Sequence, residues 1–229
     1  MCARITVLTR EEVAAVVADI QAGRKPGALV RASGESSRGQ AYPGSSVDAL
    51  ALQAGEVCVS PCIWGFEVPW GKKPVFNTRL ESALEGKGMW RSPIRDGRCI
   101  LLASSFFEPH MSETIVNPKT RRAVKRSYEF WMADGTPLML ASVQQEGRLS
   151  VVTTVPNSCV EDVHPRMPLG LRFEEVPLWL EGDVADLAQL ADRAPLSLDR
   201  AAVQLARSVA GSVQSGGAAA PDDGQLTLF

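Results

Sequence analysis

The 229-residue chain is 45% hydrophobic and 22% charged, a balance that excludes fibrous and intrinsically disordered classes and fits one globular domain. The net charge of −2 divides unevenly: residues 1–172 carry 21 Lys and Arg against 17 Asp and Glu, and residues 173–229 carry 3 against 9. A mildly basic body with an acidic C-terminal segment is compatible with a nucleic-acid partner. No apolar run is long enough to span a bilayer, and MCARITVLTREE lacks the features of a secretion signal. A cytoplasmic protein with reduced thiols and no membrane partner is therefore expected.

In chain order, Thr9-Arg10-Glu11-Glu12 has the form of a capping box and predicts a helix from Thr9. Val13, Val16, Val17 and Ile20 recur at helical spacing, and Gly23 supplies a stop. Residues 32–47, rich in Gly, Ser and Pro, read as a loop. Apolar runs at 56–64 and 98–107 read as buried strands. YEFWMA, PLMLASV and LSVVTTV, separated by Asp134-Gly135 and Glu146-Gly147, predict a meander over 128–155. Helices are expected over 183–192 and 197–209. The pattern predicts an α+β fold over about 1–210: a single domain of curved, mostly antiparallel β-sheet with peripheral helices, and a monomer. SGGAAAPDDG then has no apolar side chain larger than Ala, so 211–224 reads as a flexible linker.

The five cysteines, Cys2, Cys58, Cys62, Cys99 and Cys159, are odd in number and irregularly spaced, which argues against a disulfide framework. Cys58, Cys62, His110 and His164 are of metal-ligating type. Both cysteines sit in the apolar VCVSPCIW, however, where a buried free thiol is the ordinary outcome. No metal and no cofactor are expected.

Cys2 is different because of its position. Aminopeptidase removal of Met1 before a small residue leaves Cys2 with a free α-amine, of pKa about 8, beside a thiol near about 8.5. Such a 1,2-aminothiol suits an aldehyde: the amine forms a Schiff base and the thiol closes a five-membered thiazolidine ring. The ring-opened sugar of an abasic site presents that aldehyde. An internal cysteine, its nitrogen tied up as an amide, has no such chemistry.

Four polar segments carry the candidate chemistry: Met1-Cys2-Ala3-Arg4; Trp64-Gly65-Phe66-Glu67-Val68-Pro69-Trp70 with Asn77-Thr78-Arg79-Leu80-Glu81; Ser105-Phe106-Phe107-Glu108; and His164-Pro165-Arg166-Met167-Pro168. In this order and spacing they resemble the SRAP (SOS-response-associated peptidase) family over roughly residues 1–180. Ala3, Ser105, Pro109 and Pro165 depart from the family pattern without removing a reactive group. The resemblance implies covalent capture of abasic sites in single-stranded DNA by Cys2. It implies that Glu108 assists sugar opening and Schiff-base formation, that Asn77 bonds the modified sugar, and that His164 helps open the sugar and governs strand cleavage or crosslink reversal. Glu108 also closes an apolar strand, where desolvation raises a carboxyl pKa. Arg4, Arg79 and Arg166 are candidate phosphate contacts; Pro43, Trp64, Trp70 and Met167 are candidates to border the DNA path. Lys119, Arg121, Arg122, Lys125 and Arg126 form a basic cluster that reads either as a backbone contact or as a solvated turn.

The final Gln225-Leu226-Thr227-Leu228-Phe229 resembles the short peptide by which bacterial replication and repair proteins dock on the polymerase sliding clamp. Leu226, Leu228 and Phe229 would supply the apolar contact and Gln225 a hydrogen bond, on a linker that gives reach. Two other readings remain at this point: a thiol peptidase using Cys2, Glu108 and His164, and a noncatalytic single-strand-binding module tethered to the clamp.

Overall fold

The computed structural model describes residues 2–29 and 38–204. The expected linker and the peptide 225–229 lie outside the described residues.

β1 (Ile5–Val7) leads into α1 (Arg10–Gln21). The capping box forms as expected: Thr9 Oγ1 accepts from the Glu12 amide at 3.3 Å, and Glu12 Oε2 accepts from the Thr9 amide at 2.9 Å. Such a cap is worth about 1 kcal/mol. β2 (Gln40–Ala41), β3 (Ser46–Gln53) and β4 (Glu56–Trp64) follow, so the stretch read as loop over 32–47 includes a short strand and the start of a longer one. β5 (Phe66–Val68) and β6 (Gly71–Val75) form a separate hairpin. β7 (Asn77–Arg79) runs directly into α2 (Leu80–Leu84) and is followed by α3 (Arg91–Asp96). β8 (Arg98–Val116) is the longest element, and β9 (Ala123–Met132), β10 (Leu138–Gln145) and β11 (Arg148–Thr154) come next. β12 (Met167–Pro168), β13 (Gly170–Leu171), α4 (Val176–Glu181), α5 (Gln189–Asp192) and β14 (Leu198–Ala202) complete the described chain.

The sheet is curved and mostly antiparallel, as expected, and it closes on itself. β3 pairs with β4, β4 with β11, β11 with β10, β10 with β8, and β8 with β3, a complete circuit of five strands. Only the β4–β11 step of that circuit is parallel. Residues alternate across β8: Leu101 and Ala103 join the enclosed cluster with Ala49, Trp64, Leu140 and Val151. Ile100 and Leu102 point the other way, into a second cluster with Val13, Val16, Leu80 and Trp179 of the surrounding helices. A strand buried on both faces reads as a continuous apolar run, which is why 98–107 lacks alternation.

Two expectations fail. The 128–155 meander is half present: β10 and β11 form a hairpin, with Glu146 and Gly147 at φ 52 and 71 in its turn. β9, however, pairs with β8 and β14 and not with β10, because β8 changes partner, from β10 over its first residues to β9 from Phe106 onward. The helix expected over 197–209 is contradicted at Leu198–Ala202, which is β14; its apolar periodicity loses to an open edge of β9. The helical reading of 183–192 holds as a 3₁₀ turn over Val184–Ala188 followed by α5.

Candidate functional site

The barrel positions the site at the point where β8 leaves β10. The register of β1 against β8 places Ile5 opposite Phe106, and the Phe107 amide donates to the Arg4 carbonyl at 3.0 Å. Cys2 is thereby laid beside the end of the apolar half of β8, next to Glu108. Asn77, the first residue of β7, also reaches Cys2: its Nδ2 donates to the Cys2 carbonyl at 2.8 Å. The fourth group, His164, comes from the loop between β11 and β12, and its Nε2 lies 3.9 Å from Glu108 Oε2. The structure thus brings Cys2, Asn77, Glu108 and His164 together from four separate segments.

Their electrostatics follow from enclosure. Cys2 and Glu108 are both 0% exposed. Burial pushes the Glu108 carboxyl up to about 7, so near neutrality both of its protonation states are populated. Burial raises the Cys2 thiol well above its ordinary value, and the negative charge of Glu108 raises it further. Burial lowers His164, which leaves its imidazole neutral at pH 7. His164 Nδ1 faces the Arg166 backbone, 3.1 Å from its amide and 2.8 Å from its carbonyl, so the ring's orientation is fixed and Nε2 is turned to the site. Asn77 Oδ1 is buried with no hydrogen-bond partner among the described residues.

The remaining sequence candidates separate into two groups. Trp64 is 0% exposed, with Nε1 donating to the Phe76 carbonyl at 2.9 Å, so it lies in the barrel core. Met167 is 9% exposed and packs in the same cluster. Arg166 is committed internally: its fork binds Glu81 at 2.9 and 3.0 Å and the Thr153 carbonyl at 2.6 Å. It ties the His164 loop to α2 and β11. On the solvent side, Trp70 is 72% exposed at the tip of the β5–β6 hairpin, Arg79 is exposed, and Pro43 is partly so. Arg4 is half-buried, with Nε donating to Gln40 and its guanidinium 3.9 Å from the centre of the Phe107 ring.

Sequence reasoning missed two residues beside the candidates. Glu81 is the partner that immobilises Arg166; its place in Asn77-Thr78-Arg79-Leu80-Glu81 was visible, but its pairing spans 85 residues. Tyr42, 48% exposed beside Pro43, adds a second accessible aromatic ring, and only its neighbour drew notice. As for metal, no group of three or more His, Cys, Asp or Glu is placed to hold a metal ion among the described residues. Cys62 instead donates to Gln144 Oε1 at 3.2 Å.

A family model described as SOS response associated peptidase (SRAP) matches residues 1–211. The abasic site processing protein YoqW of Bacillus subtilis is 32% identical over 131 residues, covering 51% of this chain and 54% of YoqW. The abasic site processing protein YedK of Escherichia coli is 27% identical over 153 residues, covering 62% and 64%. The chain therefore spans about half the length of the curated relatives it matches, and somewhat more of YedK. Among solved structures, a phage-related protein of Bordetella bronchiseptica superposes with a TM-score of 0.64 at 20% identity, over 89% of this chain and 94% of its own. A protein from Bacteroides thetaiotaomicron gives 0.62 at 20% identity, over 89% and 92%. These two likenesses are of fold.

Proposed function

Since this chain belongs to the SRAP family, we propose that it recognises abasic sites in single-stranded DNA and bonds to them through Cys2 once Met1 is removed. The observation that carries the reading is the convergence of a second-position cysteine with a buried carboxyl of pKa about 7 and a neutral histidine.

The protonation states suggest an order of events. The thiol, held protonated by burial, is a poor first nucleophile; the α-amine attacks first. It adds to C1′ of the ring-opened deoxyribose, and loss of one water gives the iminium, whose nitrogen keeps one proton, with protonated Glu108 delivering a proton to the departing hydroxyl. Glu108, now a carboxylate, takes the thiol proton as sulfur bonds to C1′. The C=N π pair withdraws onto the nitrogen and the thiazolidine closes, with Glu108 protonated again. One water is lost overall and no redox change occurs. His164 Nε2, facing Glu108, relays protons to and from the sugar. Asn77 holds Cys2 by its carbonyl, and its Oδ1 is available to a sugar hydroxyl. The exposed rings of Trp70 and Tyr42 are available for stacking and Arg79 for a phosphate contact. The raised thiol weighs against a thiol peptidase, which needs a thiolate.

The test mixes protein with single-stranded DNA carrying one abasic site and resolves the products on a denaturing gel. A shifted band is expected, lost in Cys2→Ala and in protein whose intact mass shows retained Met1. Absence of the band from wild type with free Cys2 would overturn the reading. On the same footing, the peptide 225–229 is proposed to dock the protein on the sliding clamp.

A further inference from the structure

We propose that the β8–β9 hairpin beyond Pro109 is a DNA-gripping arm, a second site that holds the phosphates of the single strand leaving the Cys2 pocket. This inference rests on the function proposed above and assigns it a further binding element.

β8 does not stop at Glu108. It continues through Val116 and returns as β9, with Thr114, Ile115 and Val116 paired to Lys125, Val124 and Ala123. At about 3.3 Å per strand residue the arm extends roughly 20 Å beyond the barrel. It holds Lys119, Arg121, Arg122, Lys125 and Arg126 against Glu113 alone, in a chain whose overall charge is −2. Glu113 is already taken by Arg126 at 3.3 Å and by the Tyr128 hydroxyl at 2.7 Å. Lys119, Arg121 and Arg122 at the tip are exposed and pair with no carboxylate among the described residues. Asn117 Oδ1 accepts from the Lys119 and Thr120 amides at 2.9 and 3.1 Å, and the Arg121 amide donates to the Asn117 carbonyl at 2.8 Å. Arg121 itself sits at φ 57. The three cations are therefore presented on a fixed turn, which reduces the ordering cost of binding.

The arm also leaves the barrel at a bend. Between the pairs Pro109↔Ser127 and Thr114↔Lys125 the register shifts, leaving residues 110–113 opposite Arg126. Bulges of this kind redirect a strand. This one is braced: His110 Nδ1 accepts from the Ser112 and Glu113 amides at 3.2 and 3.0 Å, and the Met111 amide donates to the Val163 carbonyl at 2.9 Å. Val163 precedes His164, so the base of the arm and the histidine loop are joined. A strand held at Glu108 meets the arm next along β8.

The test uses full-length protein with Lys119→Gln, Arg121→Asn and Arg122→Gln combined; Asn tolerates the positive φ at 121, and circular dichroism checks the fold. Equilibrium binding to intact single-stranded DNA is measured against salt. Each neutralised phosphate contributes about 0.7 to the slope of log K against log salt, so the slope should shrink by about 2. From about 50 to about 200 mM salt, wild type should then lose about 20-fold more affinity than the variant. Crosslinking to the abasic strand at saturating DNA should stay within twofold. A second variant, Arg121→Lys with Arg122→Lys, should keep the wild-type slope. An unchanged slope in the neutral variant, or an equal loss in the Lys variant, overturns the arm. Should wild type form no crosslink while the slope still falls by about 2, the arm stands and the covalent reading falls.

Discussion

Glu108→Gln separates the chemical role of the carboxyl from its cost to the fold. Raising its pKa from 4.5 to about 7 corresponds, at 1.36 kcal/mol per unit, to about 3 kcal/mol. The sign is that of any group whose folded pKa is raised. The stability that goes with the neutral carboxyl is fully present below about pH 4.5 and is lost as pH rises through about 7. Gln, permanently neutral, escapes that loss. At pH 8.5 the variant should therefore be the more stable protein by up to about 3 kcal/mol, less whatever hydrogen bonding the carboxylate provides. That is several degrees of Tm for a domain of this size. At pH 4.5 the gap between the two should be smaller by the same amount. In the crosslinking assay the same variant should be slower by about 10²-fold, the usual contribution of a positioned acid-base group, and the wild-type rate should show an inflection near pH 7. Melting curves at the two pH values and single-turnover crosslinking over pH 5–9 supply the measurements. A Tm difference independent of pH, or a rate within twofold of wild type, would refute the assignment of Glu108 as a buried carboxyl poised for proton transfer.

Asn77→Ala removes the donor to the Cys2 carbonyl and should slow crosslinking about tenfold, the equivalent of one hydrogen bond of about 1.4 kcal/mol; an unchanged single-turnover rate would show that β1 alone positions Cys2. Arg166→Ala should lower stability by about 1–3 kcal/mol in urea titrations, through loss of the Thr153 contact more than the half-exposed Glu81 pair, whose coupling in a double-mutant cycle should not exceed about 1 kcal/mol. Trp70→Ala should weaken binding to single-stranded DNA by about 1–3 kcal/mol with little effect on Tm, as fits a stacking residue and not a core one. Removing 225–229 should abolish binding to a sliding clamp in a surface-capture assay while leaving crosslinking intact; unchanged clamp affinity would dismiss the peptide.

Features that depend on neighbouring residues were readable in the sequence. The capping box at Thr9 and the turn at Glu146-Gly147 are local, and both form. Cys2 stood out by its position and Asn77, Glu108 and His164 by the family resemblance of their short motifs, and the structure brings these four together. Long-range facts were not legible. Nothing near residue 98 indicates that one strand will serve β3 and β10 first, and β1 and β9 later. The failed meander and the misassigned helix over 198–202 follow from that one omission. Trp64 and Trp70 illustrate the same limit: two tryptophans six residues apart have equal claims on a base until the fold buries one and exposes the other.

The short β1 ladder has a further consequence. Because Ile5 is locked opposite Phe106 and the Arg4 carbonyl to the Phe107 amide, the ladder acts as a ruler: the tether from Ile5 to the Cys2 nitrogen is three residues long. Inserting a single residue after Cys2 would carry the amine about 3.3 Å farther along the chain direction and invert which side of the strand it faces. On the proposed reading, the spacing between Cys2 and the first strand is a dimension of the site in its own right, one that an insertion would change without touching any of its side chains.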